Sequence, residues 1–333
     1  MNTNERLSST EIAALWSVYM QESASRCFLK YFLNTVQDEE ITSVIQLALD
    51  EVESHLEKIT NIFKKEDFPV PTGFSDNDID LTAPPLFYDL FALSYVYGNA
   101  RIGLLGIGKM TSNIAREDVL DLFSNLLTRT NKLYKKSVNL MLSKGIYDRP
   151  PKIPYPDKVE FVDDQSFLTG WLGKRRPLNV IELTELFFNI ERNYFGILSL
   201  TGFIQVVKDK EVKEYFKRGK DLAEKQTTMF NDILKEDDLL GTIPVSMEVT
   251  NSTTAPFSDK LMLYMITSLN ATAIGFMGFS IGSAMRRDLG THYSRIMLNI
   301  IKYSEDGANL MIEKSWMEQP PQAPDRNAPK AGN

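Results

Sequence analysis

Apolar residues recur at Ile12, Leu15, Tyr19, Leu29 and Leu33, a spacing of three and four that lays them along one stripe of a helix. A second helix is predicted around residues 38–65, with Ile41, Ile45, Ala48, Val52, Ile59 and Phe63 on its stripe. A third begins after Pro84 and Pro85 and runs to about residue 113. Proline is tolerated at a helix's first turn because its missing N–H has no intrahelical partner there. A fourth, from about 116 to 143, carries Val119, Phe123, Leu126, Leu133 and Leu140, and Gly145 supplies a stop. Further along, Leu183, Leu186, Ile190, Ile197, Leu200 and Ile204 repeat the pattern of the first helix.

That recurrence is part of an internal duplication. Asp38-Glu39-Glu40-Ile41 returns as Asp209-Lys210-Glu211-Val212, and Thr82-Ala83-Pro84 as Thr254-Ala255-Pro256. Arg116-Glu117-Asp118 returns as Arg286-Arg287-Asp288, and each Asp precedes a proline pair at the same distance, Pro150-Pro151 and Pro320-Pro321. Within a unit, Phe68 to Pro85 (FPVPTGFSDNDIDLTAPP) is rich in Pro, Gly and Asp. A helix of about 28 residues is roughly 42 Å long, and an extended segment of this length spans about 55–60 Å. The segment can return along the bundle and leave helices two and three parallel, which is the ferritin-like topology. The fold class expected is all-α: two tandem ferritin-like four-helix bundles, each with a long crossover between its second and third helices. The first repeat is placed at 1–145 and the second at 178–318. A Pro/aromatic connector, packing Phe167 and Trp171 against one bundle, fills 146–177, and a mobile tail follows at 319–333.

The segments FPVPTGF, PFSDKLM, RRDL and EQPP, in this order and duplicated, resemble the family called domain of unknown function 3231. The resemblance covers nearly the whole chain. It implies two ferritin-like repeats, an origin in spore-forming Bacillus-type bacteria, and no established activity. It also suggests a role in sporulation or stress through association with a protein partner or with itself.

Composition narrows the setting. Of 333 residues, 43% are hydrophobic and 24% charged, the balance of a globular chain with a sizeable core. With 44 acidic against 37 basic residues the net charge is −7, which argues against nucleic acid as a partner. Cys27 is the single cysteine, so no intrachain disulfide forms and a reducing compartment is expected. The polar start MNTNERLSSTE shows no secretory signal, and a cytoplasmic location is expected. Leu261 to Met285 lacks charge over a length that could span a bilayer. Its counterpart is interrupted by Arg101 and Lys109, so a helix buried between bundles is expected rather than a membrane span.

A ferritin-like bundle raises the question of a metal site, whose standard dinuclear form uses Glu-x-x-His on two helices. No Glu-x-x-His occurs. Glu22 and Arg26 interrupt the stripe of helix one, and His55 lies beside that of helix two with Glu51 one turn before it. These residues allow two readings. One is a mononuclear iron or manganese site on Glu22, Glu51 and His55, and with it an oxidoreductase. The favoured one is a structural polar layer without a cofactor. In it Glu22 pairs with Arg26 or with Arg101, which counting places level with His55. The counterparts in the second repeat are softer: Asn193, Ile197 and Gln226. In the family resembled, histidine often stands at the place of Gln226 and near Met265, and neither is present here.

The remaining features take ordinary readings. His292 is structural, and Asp89 and Asp259 favour the dipole at the start of a third helix. Gly103 to Lys109 mimics a phosphate loop but lacks the preceding strand and the following Ser or Thr. These glycines, with Gly275, Gly278 and Gly282, are expected to let the third helices of the two bundles approach closely. Cys27 is expected to be a buried thiol. The leading expectation is a non-catalytic helical-bundle protein. The alternatives are the metal protein and a small-molecule binder with an apolar pocket between helices.

Overall fold

In a computed structural model, residues 5–171, 175–239 and 249–326 are described, and the predicted helices form close to their expected limits. The first repeat contains α1 (Ser9–Thr35), α2 (Glu39–Lys65), α3 (Asp89–Thr111) and α4 (Glu117–Ser143). The second contains α5 (Val180–Val206), α6 (Lys210–Lys235), α7 (Asp259–Ser283) and α8 (Arg287–Glu313). Among the described residues β structure is limited to two isolated bridges.

The starts of α1, α2, α5, α6 and α7 are fixed by side chains that accept their orphan N–H groups, which those of α3, α4 and α8 are not. Ser8 and Glu11 form a capping box on α1, Asn179 and Glu182 the same on α5, and Asp38 and Asp209 cap α2 and α6. Several of these groups also tie helices together. Asp89 Oδ2 accepts from the backbone of Gln37 at 3.0 Å and Asp38 at 2.8 Å, so α2 and α3 start side by side and run parallel. Glu11 accepts from Arg116 N at 2.8 Å, which pairs the starts of α1 and α4. Lys144, at the end of α4, reaches Asp38 at 2.6 Å and Glu40 at 3.0 Å. Asp259, Glu182 and Lys314 repeat these links in the second bundle. The sequence matches between repeats are therefore largely end clamps, and the parallel α2 and α3 require the long crossover.

The helices divide by sidedness. The polar faces of α2, α4, α6 and α8 lie opposite one apolar stripe, whereas α1, α3, α5 and α7 are apolar on most sides. The second group is central: Phe28 of α1 lies 6.4 Å from Phe203 of α5, and Phe91 of α3 stacks on Phe195 of α5 at 5.2 Å. The crossovers pair antiparallel, Ile79 with Phe257 and Phe87 with Val249. Both 79 to 249 and 87 to 257 are steps of 170, so exchanging the repeats converts one pair into the other: they are related by a pseudo-two-fold. One apolar core built around Phe28, Phe87, Phe203 and Phe257 joins both repeats. Each bundle also has its own core at its far end, around Phe123 in the first and Phe230 in the second.

Helix α7 was expected to be apolar enough to span a membrane and α3 was not; by length and composition both are. In each, 44% of that apolar window is buried. The expectation for the glycines is corrected. A Cβ at Gly98, Gly106, Gly108, Gly275, Gly278 or Gly282 would meet nothing within 4 Å, and Gly103 is tight only against Thr130 of its own bundle. Close approach occurs instead at Gly202 of α5, where a methyl would overlap the Phe87 ring of the other repeat, and at Gly219 and Gly307, where it would overlap the Tyr303 and Tyr215 hydroxyls. The two tyrosine rings stack at 4.2 Å and 7°. Gly219→Ala and Gly307→Ala are each expected to lower stability: overpacking costs about 1–3 kcal/mol, against a helix-propensity gain of about 1 kcal/mol. Gly108→Ala should show only the gain, about 0.5–1 kcal/mol. Urea unfolding of the three variants checks both signs.

In the connector, Phe167 stacks under the Arg176 guanidinium at 4.0 Å and Trp171 lies 5.6 Å from His292 of α8. Tyr155 and Phe161 are 95% and 91% exposed. Residues 172–174 of the connector and 327–333 of the expected tail lie outside the described residues.

Candidate functional site

Residues of α1, α2, α3 and α4 in the first bundle and of α5 and α7 in the second line a cleft of about 600 Å³. Its walls are mostly apolar, with Trp16, Ile107, Met110, Phe195, Met265 and Leu269 among them. Gly98 and Gly106 line it as bare backbone, which is why their missing Cβ atoms face open space.

Charged groups enter from both repeats. Arg101 of α3 donates to Glu191 of α5 at 2.5 Å and to the Tyr97 hydroxyl at 3.0 Å, and lies 4.0 Å from the Phe188 ring centre. Burial pushes the Glu191 carboxyl above its ordinary value, with Arg101 opposing the shift. Arg192, the next residue, donates from Nη2 to Asn189 Oδ1 at 2.9 Å, while its buried Nε has no partner. No carboxylate among the described residues pairs with it. Burial, and then the neighbouring Arg101 charge, push Arg192 down to about 10. The pseudo-two-fold counterparts of Glu191, Arg192 and Arg101 are Met20, Gln21 and Ala271, which line the opposite flank without charge.

Glu22, Glu51 and His55 do come together, at the cleft lining of the first bundle. His55 Nδ1 lies 2.9 Å from Glu22 Oε1, and Nε2 lies 3.8 Å from Glu51 Oε2, which Arg129 engages at 2.5 Å. The two carboxylates address opposite edges of one imidazole. Among the described residues no group of three or more His, Cys, Asp or Glu is placed to hold an ion. Arg26 and Arg101 are not the partners of Glu22. Arg26 donates to Phe74 O at 3.2 Å in the first crossover, and Arg101 crosses to the second repeat. The reason is that helix-stripe counting fixes height along a bundle but not which neighbour a long side chain meets. Asn193 donates to Asn189 O at 2.9 Å, and Gln226 is buried in the second bundle.

Cys27 is fully buried, with its thiol against Ser23 O and Ser75 O, and burial pushes it up to about 12. Gly103 and Lys109 lie within α3, so no phosphate loop forms. Glu191, Arg192 and Phe188 were not singled out in the sequence. The available signal was a Glu-Arg pair inside an otherwise apolar helix.

Burial raises the pKa of Glu22, and its hydrogen bond with His55 offsets the shift only in part. A raised acid stabilises the fold below its unfolded value of 4.5, and that contribution is lost as pH rises through the folded value. Glu22→Gln should therefore gain stability relative to the parent as pH rises from 4.5. Glu22→Ala, which leaves His55 unpaired, should cost about 1–3 kcal/mol at neutral pH. Urea titrations at several pH values check both.

A family model described as a protein of unknown function (DUF3231) matches residues 1–159 and again 166–328. No curated protein matches. The crystal structure of a protein from Bacillus halodurans C-125, provisionally described as a spore coat protein, is similar at 18% identity with a TM-score of 0.43. The match covers 45% of this chain and 98% of that one.

Proposed function

The chain belongs to the family described as a protein of unknown function (DUF3231), in two copies, and we propose that it is a non-catalytic protein that binds a small molecule in the cleft between its bundles. The observation that carries this reading is the cleft itself: its volume of about 600 Å³ lies within the 300–1,000 Å³ of small-ligand sites. Its walls are mostly apolar, and its charged groups stand largely in pairs. The lining comes from all four helices of the first bundle and from α5 and α7 of the second, so both repeats build the site. Most of its charged groups are engaged with one another, Glu22 with His55, Glu51 with Arg129 and Arg101 with Glu191, which suits holding better than turnover. The setting suggested by the family resemblance is the spore-forming cell, in sporulation or stress.

Titration with the neutral apolar dye N-phenyl-1-naphthylamine tests this. Saturable uptake near one molecule per chain is expected, and Gly106→Phe, which fills open space in the cleft, should abolish it with the fold intact. Uptake that is absent, or untouched by Gly106→Phe, refutes the reading. Elemental analysis of untagged protein tests the rival iron or manganese reading. Metal near one atom per chain that disappears with His55→Ala would replace binding by metal chemistry.

Association with a protein partner is a second reading. It is favoured by the connector, where Tyr155, Val159 and Phe161 are 95%, 85% and 91% exposed. Changing all three to Ser should reduce self-association or partner capture without altering dye uptake.

A further inference from the structure

We infer that the ligand of the cleft is an amphipathic anion, its single anionic head at Arg192 and its apolar chain against the flank of Met20 and Ala271. This deepens the binding reading above and rests on it. The argument starts from the charges that line the cleft. Glu22 faces His55 at 2.9 Å, Glu51 faces Arg129 at 2.5 Å, and Glu191 faces Arg101 at 2.5 Å. Asp148 also lines the cavity, near enough to Glu191 to act on its carboxyl, and burial pushes the Asp148 carboxyl above its ordinary value. Arg192 has one neutral acceptor, Asn189, a ring neighbour in Phe276 at 5.6 Å, and a buried Nε with no hydrogen-bond partner. Glu191 beside it already answers Arg101, so of the two guanidinium groups on this flank Arg192 is the one without a carboxylate contact.

A buried cation without a counter-ion is costly, and a guanidinium presents a planar fork that a carboxylate or phosphate oxygen pair fits. The cleft therefore favours a negative head on this side. The opposite flank decides the rest of the molecule. There the same three positions carry Met20, Gln21 and Ala271, and the charged groups of that bundle, Glu22, Glu51, His55 and Arg129, already engage one another. A molecule with one anionic end and an apolar body suits both Arg192 and the apolar surface of Met20 and Ala271.

The test uses the full chain, freed of bound lipid, titrated calorimetrically with four twelve-carbon probes below their micelle concentrations. These are dodecanoate, dodecyl phosphate, dodecanol and dodecyltrimethylammonium. The anions are expected to bind near one per chain and at least tenfold tighter than dodecanol, with the cation weakest. Arg192→Met should bring dodecanoate to the level of dodecanol, and Arg192→Lys should retain part of the preference. A preference for dodecanoate over dodecyl phosphate identifies a free fatty acid as the source, and the reverse identifies a phospholipid-type head; either supports the inference.

Circular dichroism establishes that each variant folds. Should Arg192→Met fail to fold, the contrast between dodecanoate and dodecanol on the parent protein decides the matter. Dodecanoate binding no tighter than dodecanol, or a preference that survives in Arg192→Met, overturns the anion. If Gly106→Phe still blocks both probes in that case, the cleft remains a binding site for apolar molecules. No binding of any probe overturns the inference, and absent dye uptake would remove the binding reading with it.

Discussion

Asp288→Ala is expected to lower stability by about 3–5 kcal/mol, the cost of removing one partner of a buried ion pair. Asp288 and Arg286 have side chains only 1% exposed and meet at 2.6 Å, and Arg175 adds a second contact to Asp288 at 3.3 Å. Without Asp288, the Arg286 guanidinium keeps an acceptor in Arg176 O at 3.4 Å and a carboxylate, Glu236, at 4.0 Å. Burial alone would raise the Asp288 carboxyl, but its bonds with Arg286 and Arg175 hold it below the ordinary value of 3.8. The stabilisation is thus present above pH 3.8 and is lost as pH falls through the lowered value. The first repeat supplies the control. Its counterpart, Asp118, meets Arg116 at 2.8 Å but is 46% exposed, so Asp118→Ala should cost at most about 1 kcal/mol. Urea unfolding of the two variants side by side measures the difference, and equal losses would refute the assignment to burial.

Phe28→Ala should cost a comparable amount, about 3–5 kcal/mol for a fully packed aromatic, and the loss should be felt by both repeats. Phe28 is 2% exposed and packs on Tyr95 at 5.3 Å, on Phe257 at 4.4 Å and on Phe203 at 6.4 Å. The last two belong to the other half of the chain. Because the shared core joins the bundles, calorimetry of the parent and of Phe28→Ala should each show one cooperative transition, the variant's at lower temperature. Two transitions, with only the first repeat shifted, would mean that the bundles unfold independently. Phe123→Ala, in the separate far core of the first repeat, gives a matched loss of packing without contact to the second repeat.

Much of the architecture was legible because it is written in short-range patterns. The three-and-four spacing placed the helices, the duplicated motifs placed the repeats, and the length of the Phe68–Pro85 segment demanded a crossover. The cluster of Glu22, Glu51 and His55 was visible for the same reason. Polar residues interrupting a stripe must face the bundle interior, and Glu51 and His55 are one turn apart. Glu22's partner was misassigned because Arg26, Arg101 and His55 all lie within reach of a similar height, and side-chain direction chooses among them. The glycines were misread because a helical glycine fits equally a close contact or an open wall. In α3 and α7 the wall is what they form, while the close contacts fall at Gly202, Gly219 and Gly307.

The sequence by itself determined the helices, the two-fold repetition and the long crossover, since these depend on residues a few positions apart or on copies of one motif. Only the tertiary structure decided the cleft and its Arg101–Glu191 pair. Arg101 and Glu191 are 90 positions apart and belong to different repeats, and nothing periodic along the chain links them. Their meeting is set by how two nearly equivalent bundles pack about the pseudo-two-fold through the aromatic core. That packing brings unlike residues face to face, Arg101, Glu191 and Arg192 on one side and Ala271, Met20 and Gln21 on the other. The asymmetry that gives the cleft its chemistry arises only once the two halves are in contact.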